Sequence, residues 1–469
     1  MRVLFVSSEI YPYAKTGGLA DVSSALPKAL REKGAEVVSI MPLYSSIERK
    51  KHGLEKCAIS FDIVLNRHIY SCDVFCKGDT YFIANTTLFE RDSLYGEYED
   101  NGLRFGVFAY AVMELAIRLK PSWDVIHLND WQSALVSYLA KVRYKLDTRV
   151  VLTIHNLAFQ GIFPKELMND LEIGWDAFTL HRFEFYDQIN FLKGAIAYSD
   201  QVVAASPRYA LEIQTPQYGC NLDSFLRDTS YKLRGILNGI DTTEFNPAND
   251  PYLFKSYSDV LSENKQANKI KLLEELGLKY PQRPLFVFIG RFSWQKGVNV
   301  ILETLPCVQA LEINIVILGS GERYYNDSFA SVAGAYSNVA VRLGYDERLA
   351  RMIYAAGDFL LMPSVYEPCG LNQMIAMTYG CIPIVRLTGG LADSVADLSD
   401  EAFSIERGVG IVFEELDRFS FLLALSRALA LFTNPKRFQA VIRHNQCVDN
   451  TWTTRAEIYF SLYQEGDTL

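Results

Sequence analysis

Short apolar runs alternate with helix-length amphipathic stretches along this chain, and the alternation begins twice. That pattern constrains the fold more than any single residue does. Apolar runs too short for helices, set between helical stretches, read as strands of a parallel sheet covered on both faces. The first series predicts strands at Val3–Val6, Val37–Met41, Val125–Leu128, Val150–Ile154, Val202–Ala205 and Leu233–Leu237, with a helix over Ala25–Gly34 that Gly34 stops. Asn246-Pro247 and Asp250-Pro251 then interrupt the chain, and a polar helical stretch runs to Gly277. The second series predicts strands at Leu285–Ile289, Ile313–Leu318, Val339–Leu343, Phe359–Met362 and Ile382–Val385. Beyond Asn450, the residues Trp452, Ile458, Tyr459, Phe460 and Tyr463 predict a last helix with an apolar face to bury. The fold class is therefore α/β, with two doubly wound halves joined near residues 240–250 and no internal sequence repeat.

A chain of 469 residues suits two domains of ordinary size. Hydrophobic residues at 49% and charged residues at 22% place it among well-packed globular proteins. A net charge of −9 argues against nucleic acid as a partner, because a phosphate backbone demands a basic face. The eight cysteines contain no Cys-x-x-Cys, which predicts that most are reduced, buried thiols of a cytoplasmic protein. The first apolar run stops at Glu9, too short for a signal peptide, and no stretch is long enough to cross a bilayer, so no membrane partner is expected.

In open parallel sheets, ligands bind outside the carboxyl ends of the strands. Three candidate sites fall there. Lys15-Thr16-Gly17-Gly18-Leu19-Ala20-Asp21 follows the first strand; it reads either as a glycine turn with a solvated lysine or as a backbone cradle for a phosphate at a helix start. Arg291-Phe292-Ser293-Trp294-Gln295-Lys296-Gly297 follows Leu285–Ile289; it reads either as a surface loop with two solvated cations or as a diphosphate clamp. Glu367-Pro368-Cys369-Gly370-Leu371 reads either as an acidic residue before a proline turn or as a carboxylate beside free backbone N–H groups. Three more strands end in polar residues, at His127–Asp130, Thr153–Asn156 and Asn238–Asp241. No histidine–cysteine cluster has zinc-like spacing, no Asp-x-Asp offers a divalent-metal clamp, and no Gly-x-Ser-x-Gly marks a nucleophile. The metal expectation is none.

Taken together and in order, these motifs resemble the bacterial glycogen synthases and plant starch synthases. The resemblance covers almost the whole chain. It runs through Lys15–Asp21, Asp130-Trp131, His155–Gly161, Phe191–Gly194, Leu237–Asp241, Gln295–Gly297, Glu367–Leu371 and Gly389–Asp393. It implies the GT-B fold, two Rossmann-like domains facing a deep cleft. The domains implied are an acceptor-side domain over 1–242, a nucleotide-sugar domain over 243–450, and a terminal helix over 451–469 that crosses back to the first. It implies ADP-glucose and an α-1,4-glucan as substrates, with no cofactor.

The roles it implies are these. Arg291 and Lys296 clamp the diphosphate, Gly18 adds a backbone donor, and Lys15 reaches the same phosphates. Glu367 holds glucose hydroxyls with backbone N–H groups near Cys369, Gly370 and Leu371. His155 touches the transferred sugar, its carbonyl facing the anomeric carbon. Asn238 is a further sugar contact, and Tyr345 stacks near the base. Glu9, Asp21, Asp130 and Asn156 support the acceptor side. The sequence departs from the family pattern at Asn129-Asp130-Trp131-Gln132, usually His-Asp-Trp-His, at Val365-Tyr366, usually Arg-Phe, and at Leu371-Asn372-Gln373, usually Leu-Thr-Gln.

The implied reaction retains the α configuration by front-face displacement, the departing phosphate taking the acceptor's proton. Donor binding is expected to close the domains about a hinge near Asn238–Asp250 and near the start of the terminal helix. Competing readings are a GT-B enzyme using UDP- or GDP-sugar to make a disaccharide, a silent glucan-binding relative, and a nicotinamide dehydrogenase. The last is disfavoured because no strand is followed by Gly-x-Gly-x-x-Gly.

Overall fold

The structure, a computed structural model, describes residues 1–120, 122–279, 281–398 and 409–465. The chain divides into two compact units, Met1–Asn238 with Trp452–Leu469, and Gly239–Thr451.

The first unit is built on strands β1 (Arg2–Val6), β2 (Glu36–Pro42), β3 (Glu55–Leu65), β4 (His68–Lys77), β5 (Thr80–Ala84), β6 (Val125–Asn129), β7 (Arg149–Ile154), β8 (Ile162–Pro164), β9 (Glu184–Phe185), β10 (Gln188–Asn190), β11 (Gln201–Ala204) and β12 (Leu233–Gly235). Nine of them form one sheet in the order β12-β11-β7-β6-β1-β2-β5-β4-β3, and β8-β10-β9 form a small antiparallel one. From β12 to β5 the neighbours are parallel, as the apolar runs predict. The edge differs: β3, β4 and β5 pair antiparallel, an element the sequence reading missed. Its signal was alternation rather than a continuous apolar run. Phe61, Ile63 and Leu65 are buried between exposed Asp62 and Val64, and Asn66-Arg67, both at positive φ, close a two-residue hairpin.

The helix expected over Ala25–Gly34 spans Gly18–Glu32. Ser23 and Ser24 broke the apolar pattern in the sequence. Ser23 is nonetheless buried, because its hydroxyl donates to Ser7 Oγ at 2.8 Å. The strand expected over Leu233–Leu237 ends at Gly235, where a Cβ would lie 2.3 Å from Pro207 Cα. The last helix, Trp452–Gln464, packs Trp452, Ala456, Tyr459, Leu462 and Tyr463 into the cluster formed by Val3, Phe5, Leu26 and Leu30. That answers the apolar face left open by the sequence. Residues 466–469 of the expected terminal helix lie outside the described residues.

The second unit has strands β13 (Leu285–Ile289), β14 (Asn314–Gly319), β15 (Val339–Leu343), β16 (Phe359–Met362), β17 (Ile382–Arg386), β18 (Ala396–Asp397) and β19 (Val409–Phe413). They form one parallel sheet in the order β15-β14-β13-β16-β17-β19-β18. The polar helix before it, Glu263–Leu276, stops at Gly277 in the left-handed conformation. The segment after Asn238 is pinned to this unit. Asp250 is buried, accepts from Tyr379 Oη at 2.5 Å, and pairs with the buried Arg351 guanidinium at 3.4 Å. Arg351 also holds Glu244 and Glu347.

All eight cysteines are free thiols, but only Cys72, Cys369 and Cys381 are buried. The expectation of buried cysteines is corrected because Cys57 and Cys76 lie on the edge hairpin and Cys220 turns at positive φ. Among the described residues no helix is long and apolar enough to cross a membrane.

Candidate active site

The loop leaving β1 carries the first group of expected residues. Glu9 is buried, and its carboxylate accepts from Thr16 N at 2.5 Å, from Thr16 Oγ1 at 2.6 Å and from the Tyr95 hydroxyl. These donors fold the loop back over the strand end. Tyr11 N–H then bonds Ala20 O at 3.1 Å, tying the loop to the first helical turn. Gly17 precedes the helix with extended backbone, and a Cβ there would meet nothing within 4 Å. Gly18 is the first helical residue. Lys15 Nζ lies 2.8 Å from Asp21 Oδ1 and over the Tyr11 ring. Lys15 is thus held by Asp21.

The ends of β6 and β7 carry the second group. Asp130 stands at φ +55°, a left-handed conformation that aspartate tolerates better than most residues. Its Oδ1 accepts from His155 N at 2.7 Å and Asn156 N at 3.4 Å, so one carboxyl group clamps the start of the next loop. Burial raises the Asp130 pKa to about 7, against those two N–H groups, and the charge of Glu9 pushes it the same way. Burial lowers His155 to about 4, and its Nε2 lies 2.9 Å from Asn129 Oδ1. His127 is fully buried between the Tyr463 hydroxyl at 2.5 Å and Thr153 Oγ1 at 2.7 Å. It belongs to the core. Asn156 Oδ1 caps the turn by accepting from Ala158 N at 3.1 Å. Asn238 ends the first unit, buried, and its Oδ1 has no hydrogen-bond partner among the described residues.

In the second unit the loops after β13 and β16 meet. Gly297 adopts φ +64°, and a Cβ there would lie 1.8 Å from Pro363 O, so only glycine lets the two loops touch. That contact carries Lys296 to Glu367, Nζ to Oε2 at 2.6 Å. Ser364 Oγ donates to the same oxygen at 3.0 Å, and Glu367 is buried. Gly390 N donates to Glu367 O at 3.0 Å from a position where a Cβ would lie 2.2 Å from Cys369 O. Gln373 Nε2 reaches Cys369 O at 3.1 Å, Gly370 O at 2.9 Å and Ser394 Oγ at 3.0 Å. This fixes the turn in which Gly370 takes φ +73° and Leu371 precedes the helix Asn372–Thr378. Arg291 is exposed on the same loop as Lys296. Tyr345, largely exposed, follows β15, with its hydroxyl on Glu347.

The expected residues therefore fall into two groups, one in each unit. Glu9, Lys15, Gly18, Asp21, Asp130, His155, Asn156 and Asn238 lie in the first unit. Arg291, Lys296, Tyr345, Glu367, Cys369, Gly370 and Leu371 lie in the second. Sequence reading gave no role to Thr16, Tyr95, Asn129, Ser364 or Gln373, which hold the named groups. It also missed Gly319-Ser320-Gly321-Glu322 at the end of β14, although a Gly-x-Gly after an apolar strand was legible there. A Cβ at Gly319 would lie 2.0 Å from Gly290 O, and one at Gly321 2.2 Å from Phe292 O. Glu322 Oε1 accepts from Trp294 N at 3.2 Å. Among the described residues no three His, Cys, Asp or Glu side chains are grouped so as to hold a metal ion.

Comparison with known proteins matches residues 2–228 to the starch synthase catalytic domain and residues 283–429 to glycosyl transferases group 1. A glycogen synthase of Aquifex aeolicus is 45% identical over 469 residues, covering 99% of each chain. One from Myxococcus xanthus is 40% identical, again over 99% of each. Among solved structures, the catalytic domain of starch synthase IV from Arabidopsis thaliana, bound to ADP and acarbose, superposes with a TM-score of 0.93 at 34% identity over 98% of each chain. A sucrose-phosphate synthase from Thermosynechococcus elongatus matches at TM-score 0.61 and 17% identity over 99% of this chain and 98% of that one, a likeness of fold alone.

Proposed function

This chain belongs to the glycogen synthase and starch synthase family and has its GT-B fold, and from that premise we propose that it transfers glucose, with retention, from ADP-glucose to the non-reducing end of an α-1,4-glucan in glycogen biosynthesis. The observation that carries the reading is the Lys296–Glu367 pair, seated by Gly297 and Ser364 at adjoining strand ends, with Arg291 on the same loop. An ammonium and a carboxylate held together in this way serve two halves of one donor. Lys296 and Arg291 take the diphosphate, and Glu367 takes the glucose hydroxyls beside the Cys369–Leu371 turn.

The chemistry asked of these residues is charge stabilisation. The bond from the anomeric carbon to the diphosphate oxygen breaks, and a bond to the acceptor's 4-hydroxyl oxygen forms on the same face. The hydroxyl proton passes to the departing phosphate, leaving ADP and a glucan one residue longer. Negative charge grows on the leaving group only as the bond breaks, so cations placed there act on the transition state more than on the bound donor. Positioning supplies the rest. On the first unit, His155 addresses the transferred sugar, and Glu9 and Asp130 organise the acceptor's surroundings. We assign no divalent metal to this step. Two cationic side chains occupy the phosphate site and the sequence lacks Asp-x-Asp. We also place the enzyme in the cytoplasm, a compartment that keeps free cysteines reduced.

A panel of ADP-, UDP- and GDP-glucose with glycogen as acceptor tests the reading. ADP release coupled to glucan extension, with an α-anomeric product signal, is expected. A β product, or transfer to a small sugar in place of the glucan, overturns it. Exhaustive chelation is expected to leave the rate unchanged. Loss of activity restored by magnesium or manganese overturns the metal-free assignment.

A further inference from the structure

The geometry points to Asn129 as the positioning residue that decides which nitrogen of His155 carries its proton, and so makes His155 a hydrogen-bond acceptor, through Nδ1, for a hydroxyl of the bound sugar. Asn129 ends β6 and is fully buried. Its Nδ2 lies 2.9 Å from Val6 O on the neighbouring strand. A backbone carbonyl can only accept, so the amide nitrogen must face Val6 and Oδ1 must face His155. Oδ1 lies 2.9 Å from His155 Nε2, and it too can only accept. Nε2 therefore carries hydrogen. Two backbone-fixed strands, β1 and β6, set this orientation, and Asp130 Oδ1 holds the His155 backbone N–H at 2.7 Å.

The ring has a single proton. Burial lowers its pKa to about 4, so it is neutral near pH 7, and the proton on Nε2 leaves Nδ1 a bare lone pair. His155 is only partly buried, and Nδ1 has no hydrogen-bond partner among the described residues. An accessible acceptor held rigid at a strand end calls for a donor, and a sugar hydroxyl is one. His127 shows what the alternative looks like. Its nitrogens face the hydroxyls of Tyr463 and Thr153, which donate or accept equally well, so its surroundings fix no tautomer.

The tautomer stands on geometry alone, whereas the sugar contact rests on the function proposed above. Both are read by ¹⁵N NMR of the full-length protein labelled at histidine. His155 is expected to show a pyrrole-type Nε2 and a pyridine-type Nδ1 in the free enzyme. Saturating ADP-glucose is expected to shift Nδ1, and ADP alone to leave it in place. In Asn129→Leu the acceptor is gone. The two tautomers then mix, and kcat is expected to fall about tenfold with KM for glucan nearly unchanged. Asn129→Asp keeps an acceptor at Nε2 and is expected to retain the pyrrole-type signal and most of the rate. A pyridine-type Nε2 in the wild type overturns the assignment, and that spectrum needs no variant to fold. A correct tautomer with no response to ADP-glucose overturns the sugar contact. A correct tautomer in an enzyme inactive with every sugar nucleotide overturns the proposed function and leaves the assignment of Asn129 standing.

Discussion

The two units hold their charged groups by different means. In the first, Glu9 and Asp130 are gripped by neutral donors, Glu9 by Thr16 and Tyr95 and Asp130 by the backbone of His155 and Asn156, while Asp21 alone of its site carboxylates pairs with a cation, the partly exposed Lys15. In the second, the carboxylate of Glu367 is gripped by a cation, Lys296, and by Ser364. Neutral donors fix a group without giving it a charged partner to exchange. An ion pair can trade partners when a diphosphate and a sugar arrive together. Under the proposed function, the second unit responds to the donor's charge and the first presents fixed polar groups.

The largest effect should come from breaking that contrast at the cation. Lys296→Ala is expected to lose about 3 kcal/mol of transition-state stabilisation, roughly a hundredfold in kcat, with KM for glycogen little changed. Lys15→Ala should cost less than about tenfold, because Lys15 is a partly exposed cation already satisfied by Asp21. Steady-state kinetics of the two variants decide it. Equal losses would erase the distinction between the two lysines, and near wild-type turnover in Lys296→Ala would remove the clamp.

Glycines sharpen the comparison at the next level. Gly297→Ala places a Cβ 1.8 Å from a backbone oxygen at a left-handed position, so it is expected to destabilise the second unit by at least ~1–3 kcal/mol and to lower the melting temperature. Gly17→Ala adds a methyl to open space on extended backbone. Its stability should stay within about 0.5 kcal/mol of wild type. Its turnover should nevertheless fall if a phosphate approaches that backbone closely. A Gly17→Ala enzyme with full activity would reduce the Lys15–Asp21 loop to a turn.

How legible each part was follows from the range of its cause. The parallel strands announce themselves as local apolar runs, so Leu285–Ile289 and Phe359–Met362 were placed to the residue. The edge hairpin was lost because it alternates buried and exposed residues, with Phe61, Ile63 and Leu65 facing in, and offers no continuous apolar run. At the site, charged residues beside strand ends were visible, and their family resemblance gave them roles. What holds them was not visible. Tyr95 reaches Glu9 across 86 positions, and Gln373 does its work as an amide that any helix start could carry. Such partners are fixed by the tertiary fold and leave no local pattern. Nor did anything in the sequence say that Asp130 and His155 titrate far from their ordinary range, since burial is the cause in both.

A further expected effect lies in that burial, and it gives the first unit an acid sensitivity of its own. In the folded first unit His127 is lowered to about 3 and His155 to about 4, against an ordinary value near 6.5. Between about pH 6.5 and 4 the unfolded chain therefore binds more protons at these two positions, and stability falls as pH falls. Asp130 acts the other way. Raised to about 7 from 3.8, it is protonated in the folded state first, so across the same window it adds stability as pH falls. Two histidines oppose one carboxyl group, and the net acid loss is expected to be small, on the order of 1–2 kcal/mol. Removing either side reveals the other. Asp130→Asn deletes the opposing group while keeping an oxygen for the His155 and Asn156 N–H groups, so the acid loss should steepen. His127→Gln should flatten the loss or reverse it, since Gln keeps polar contact with Tyr463 and Thr153 and takes up no proton. Urea midpoints of the first unit's transition at half-unit steps from pH 7 to 4.5 read both slopes. If Asp130→Asn flattens the curve, Asp130 is ionised in the folded protein and its two N–H donors outweigh its burial.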